Sequence, residues 1–110
     1  MNFRHRDLSK GRWAQLSFLE QIANIGSEVS RALNWRKKNN EAYCQKAVDR
    51  ALELVDLTLA SVEGFACRKE LARLREALVD YFCGANEFLS TENSWRKYFD
   101  HFNFAIRKDR

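Results

Sequence analysis

Arg96 and His101 are the pair in this sequence best suited to chemistry. They bracket the run Arg96-Lys97-Tyr98-Phe99-Asp100-His101, with a polar residue directly after the arginine. An imidazole passes protons near neutral pH, and a guanidinium neutralises phosphate charge. RNA cleavage by its own 2′-hydroxyl needs little beyond those two contributions. The pattern is short, however, and the alternative is two solvent-facing residues beside an aromatic core stripe. Other reactive groups are scattered. Cys44, Cys67 and Cys83 are odd in number and share no C-x-x-C spacing, so they read as small buried hydrophobes carrying reduced thiols. Asp49, Glu53 and Asp56 stack on one helix face, but bundle metal sites use Glu-x-x-His pairs, and that pattern does not occur. Those acids are expected to pair with Arg31, Arg73 or Arg75 on neighbouring helices or a second subunit. Ser17, Ser27 and Ser30 have no nearby histidine, and there is no Gly-rich phosphate loop, G-x-S-x-G or H-E-x-x-H element. Neither a metal nor a cofactor is expected.

Charge gives a second kind of site. The net charge of +4 is modest but unevenly placed. Arg4, Arg6, Lys10 and Arg12 crowd the first residues against Asp7 alone, and Arg107, Lys108 and Arg110 crowd the last. Arg68 and Lys69 form a third basic point in mid-sequence. If an even number of antiparallel helices joins these points, all three fall at one end. That is the electrostatic footprint of a phosphate-bearing partner. Trp13 follows Arg12, and Trp35 precedes Arg36-Lys37-Lys38. A ring beside cations can stack on an unpaired base, or it can cap the end of a core.

The elements that must position these residues are helical. A chain of 110 residues, 45% hydrophobic and 31% charged, is one globular domain with enough surface to bury a core. Proline is absent and glycine occurs four times, which favours long helices. No window approaches the length of a membrane span, and Met1 to Arg12 does not read as a secretory signal, so a cytoplasmic location and no membrane partner are expected.

Residues 1–11 form a basic arm, and residues 12–110 a helical domain. The first helix runs from Trp13 to Lys38, with Leu19, Ile22, Gly26, Val29 and Leu33 on one face. Gly26 in that stripe is a packing glycine, placed where a neighbouring helix approaches closely. A second helix, Glu41 to Ser61, buries Cys44, Val48, Ala51, Val55 and Thr58. A third, Cys67 to Ala85, buries Leu71, Leu74, Leu78 and Tyr81 or Phe82. A fourth, capped by Ser90 or Thr91 and reaching Arg107, presents Trp95, Tyr98, Phe99, Phe102 and Ile106. Short connections close such helices as an antiparallel up-down-up-down four-helix bundle with a short N-terminal arm.

Two resemblances bear on function. The Arg96 to His101 run resembles the Arg-x(4–6)-His element of HEPN-type helical ribonucleases, which implies a toxin-system component with Arg96 and His101 as its catalytic pair. More of the chain carries the second resemblance. Ser27-Glu28-Val29-Ser30-Arg31-Ala32, Arg50-Ala51-Leu52-Glu53-Leu54, Leu71 to Glu76 and Asp80-Tyr81-Phe82 are similar to small bacterial four-helix proteins. These are the accessory variability determinant (Avd) proteins of diversity-generating retroelements and the proteins encoded in 23S rRNA intervening sequences. That resemblance implies a non-enzymatic homo-oligomer, often a pentamer, that binds RNA and a reverse transcriptase. It transfers no binding residue. A plain protein-interaction module without nucleic acid is the third expectation.

Overall fold

Ser17 decides where the first long helix begins. Its hydroxyl accepts from the Glu20 N–H at 3.1 Å, and the Glu20 carboxylate accepts from the Ser17 N–H at 3.1 Å. This reciprocal capping box starts a helix at the next residue. The computed structural model describes residues 12–108, with side chains described to residue 102. It contains a single turn α1 (Trp13–Gln15) and four long helices, α2 (Phe18–Lys37), α3 (Glu41–Ser61), α4 (Phe65–Cys83) and α5 (Glu92–Lys108). The helix expected from Trp13 to Lys38 is therefore two elements. Leu16 (ψ 146°) and Ser17 (ψ 160°) are extended between them, as an N-cap residue such as Ser17 requires of its own backbone. No strand occurs among the described residues, and no described helix is long and apolar enough to cross a membrane.

The other boundaries follow from local chemistry. Asn39 takes φ +59°, and the Asn40 side chain accepts from the Tyr43 N–H at 3.1 Å, which ends α2 and starts α3. Gly64 at φ +99° turns the chain into α4. Thr91 is the cap of α5, its hydroxyl accepting from the Ser94 N–H at 3.0 Å.

α2 packs against α3 and α5, and α3 against α4, whereas α4 and α5 come close at few points. The fully buried centre holds Ile22, Ile25, Val29, Val55, Leu71 and Leu78. Trp13 is driven into it with 1% exposure, its indole N–H donating to the Thr58 hydroxyl at 3.1 Å. Gln21 secures that turn by donating to the Trp13 carbonyl at 2.9 Å. Glu28, 7% exposed, is neutralised by Arg31 at 2.9 Å and by Arg50 of α3 at 3.4 Å. Asp56 pairs with Arg75 of α4 at 2.9 Å, one of the arginine partners anticipated for the acidic stripe.

Gly26 packs as expected. A Cβ added there would sit 2.7 Å from Phe99 Cδ1 and 2.8 Å from its Cγ. Gly26→Ala should thus lower stability by about 1–2 kcal/mol, because overpacking outweighs the roughly 1 kcal/mol gained in helix propensity. Thermal unfolding checks the sign. A higher melting temperature would mean that Phe99 yields freely.

The cysteines depart from expectation. Cys44 and Cys67 are half-buried, but Cys83, the last residue of α4, is exposed, and all three thiols are free. Burial pushes the Cys44 thiol up, against the lowering effect of Arg36, so it is not an activated nucleophile.

Candidate nucleic-acid interface

The turn from α2 to α3 brings together residues that sequence spacing leaves apart. The Trp35 and Tyr43 rings meet edge to face at 4.8 Å between centroids. Lys38 Nζ lies 5.2 Å from the Trp35 centroid, and Lys46 Nζ lies 5.3 Å from that of Tyr43. Tyr43 is 47% exposed. Beside this pair, the Arg36 guanidinium lies 4.7 Å from the Tyr81 centroid and 5.6 Å from that of Phe82. Lys37 reaches the Glu92 carboxylate at 3.5 Å. Four cations therefore cluster at this end around the exposed Tyr43 ring and the half-buried Trp35 ring. Glu41 is the exposed acid on the first turn of α3, and Glu92 is already paired.

The other end gathers some of the cations expected there. Trp13 against Thr58 places Arg12 beside the end of α3. Arg68 donates to the Leu59 carbonyl at 2.7 Å, which places Arg68 and Lys69 beside it too. Arg12, Arg68 and Lys69 are exposed. Arg107 and Lys108 lie on the last turn of α5, with side chains outside the described set. Arg4, Arg6, Lys10 and Arg110 lie outside the described residues. Glu63 in the α3–α4 connection offsets part of this charge.

Arg96 and His101 do not share a surface. Arg96 donates to Glu92 Oε2 at 2.9 Å, to the Ser30 hydroxyl at 3.1 Å and to Asn34 Oδ1 at 2.9 Å. Each of its three nitrogens is thus engaged, Nε within α5 and the two Nη atoms in fastening α5 to α2. That hydrogen bond from Arg96 holds the Glu92 carboxyl below its ordinary value. His101 is exposed, its ring edge-on to Phe102 at 5.6 Å. Five residues along one helix rotate a side chain by about 140° from its starting direction. The two groups accordingly point to different neighbours.

Tyr43 and Lys46 are the residues that sequence reasoning missed. The available signal was Trp35 next to a basic run, yet the partner ring comes from the following helix. Comparison with protein-family models, curated proteins and solved structures finds no match for this chain.

Proposed function

We propose that this chain is a non-enzymatic, homo-oligomeric helical adaptor that binds single-stranded RNA. In this reading the helices form an antiparallel up-down-up-down four-helix bundle. The observation that carries the RNA reading is the exposed Tyr43 ring packed on the half-buried Trp35 ring, set among Arg36, Lys37, Lys38 and Lys46. Rings that remain accessible offer an unpaired base a stacking surface, and each stacked base contributes about 1–3 kcal/mol. Flanking cations hold the phosphates and make the binding sensitive to salt. Rings buried among cations only to finish a core would not leave Tyr43 half in solvent.

A retroelement reverse transcriptase as the enzyme served by the adaptor follows from the resemblance of the helix phrases to Avd proteins. A ribonuclease built on Arg96 and His101 is the weaker reading, because the guanidinium nitrogens are already engaged by Glu92, Ser30 and Asn34. Fluorescence anisotropy with a labelled single strand and the matching duplex tests the proposal. The single strand should bind at least about tenfold more tightly, since paired bases cannot stack on the rings. Equal affinity for the two would leave only non-specific charge attraction.

A further inference from the structure

The seam between α4 and α5 holds a cleft of about 530 Å³ whose walls are both aromatic and charged. Its floor is formed by the buried side chains of Leu74 and Trp95. Tyr98 stands across Trp95 like the second side of a corner, the ring planes 83° apart with centroids at 6.3 Å. Phe88 adds a third ring at the rim. The loop that carries it is fixed by the Asp80 carboxylate, which accepts from the Glu87 N–H at 2.7 Å and the Phe88 N–H at 3.1 Å. Three rings on separate sides suit a small ligand with a flat apolar body, and the volume is that of a small-molecule site.

The α4 wall carries charges of alternating sign. Glu70, Arg73 and Glu76 follow one another at three-residue spacing, which sets successive Cβ atoms about 5–6 Å apart. Glu70 is already engaged, accepting from the Tyr98 hydroxyl at 2.6 Å. Burial first, and then that bond, push the Tyr98 phenol up, so it stays a neutral donor and a fixed wall. Arg73 and Glu76 are exposed, and neither forms an ion pair or a side-chain hydrogen bond among the described residues. A purely apolar ligand would strip water from these two charges and give nothing back. A phosphate fits poorly, because two carboxylates line the cleft against one guanidinium. The match is a ligand that brings both charges itself, set close enough to reach neighbouring side chains. An α-amino acid does so, with one carbon between its ammonium and its carboxylate.

We infer that the α4–α5 cleft binds a free aromatic α-amino acid, its carboxylate on Arg73, its ammonium on Glu76 and its ring among Phe88, Trp95 and Tyr98. The inference goes beyond the adaptor reading and stands whether or not this chain binds RNA.

Isothermal titration calorimetry of the full chain with L-phenylalanine tests it, with phenethylamine, 3-phenylpropionate and glycine as partial ligands. Phenylalanine should bind at least about tenfold more tightly than phenethylamine or 3-phenylpropionate, each of which leaves one charge of the wall without its partner. Glycine, which has no ring, should be weaker than phenylalanine by at least the same factor. Arg73→Ala should bring phenylalanine down to the affinity of phenethylamine without weakening phenethylamine itself. Glu76→Gln should do the same with respect to 3-phenylpropionate. Both substitutions remove exposed charges that make no ion pair, so the melting temperature should stay that of the wild type. A folding defect cannot reproduce this exchange of ligand rankings. Absence of phenylalanine binding at about 10 mM overturns the inference. So does a partial ligand that equals phenylalanine, or an affinity that neither Arg73→Ala nor Glu76→Gln changes.

Discussion

Replacing Arg96 with alanine is expected to lower the free energy of unfolding by about 2–3 kcal/mol, the value of several hydrogen bonds to a charged group discounted for partial exposure. The side chain spans α5 and α2, donating to Glu92, Ser30 and Asn34. Its loss frees the start of α5 from the second half of α2. His101→Ala should change stability by less than about 0.5 kcal/mol, since the imidazole is exposed and has one edge contact with Phe102. Urea unfolding of the two variants checks the contrast. A ribonuclease site predicts a different pair of results, in which both variants fold like the wild type and neither cleaves RNA. Acid titration gives a second readout. Glu92 has a folded pKa below its ordinary 4.5, chiefly through the Arg96 hydrogen bond, with Lys37 adding to it. The stability it contributes is therefore present above about that ordinary value and is lost as pH falls through the depressed folded one. Arg96→Ala should reduce this acid-side dependence. An unchanged acid limb would mean that Lys37 alone holds the carboxylate.

What was legible in the sequence was the periodic part of the fold. Val29 and Leu33 on α2, Val48 and Val55 on α3, and Leu71, Leu74 and Leu78 on α4 repeat at helical spacing, and each is buried where that spacing puts it. Gly26 was legible for the same reason, since a glycine inside an apolar stripe marks a close neighbour, here Phe99. The split at Ser17 was also written locally, as Ser-x-x-Glu, but an uninterrupted helical pattern from Trp13 masked it. Periodicity could not show how α4 and α5 meet. Their apolar faces suit a closed seam as well as an open one. The seam that forms is held by Tyr98 donating to the Glu70 carboxylate at 2.6 Å, by the Tyr81–Trp95 ring contact at 6.1 Å, and by a loop whose course depends on Asp80 reaching seven residues ahead. Cys83 failed for a simpler reason. Five residues beyond the buried Leu78, it is turned about 140° away from that stripe, and α4 ends with it.

Replacing Tyr43, Lys38 and Lys46 together with alanine is expected to weaken single-stranded RNA binding by at least about thirtyfold at low salt. Loss of one stacked base accounts for about 1–3 kcal/mol, or roughly 5- to 150-fold, and the lost cations add to it. The two lysines should also reduce the log–log dependence of affinity on salt by about 1.4, at roughly 0.7 per phosphate contact on a single strand. Folding should be nearly unaffected, because Tyr43 is half exposed and cation–ring contacts at exposed sites contribute about 0.5–1 kcal/mol each. The counterpart is the variant with Arg4, Arg6, Lys10 and Arg12 changed to alanine. If RNA is held at the end formed by the start of the chain and the α3–α4 connection, that variant flattens the salt dependence and the ring variant does not. If the α2–α3 turn is the site, the order reverses, and only the ring variant loses the preference for single strands over duplex. Quenching of tryptophan fluorescence by bound RNA should follow the same order, because Trp35 packs against Tyr43 whereas Trp13 and Trp95 are buried. Should neither variant alter affinity or its salt dependence, phosphate and base contacts lie on neither end, and the RNA reading fails with them.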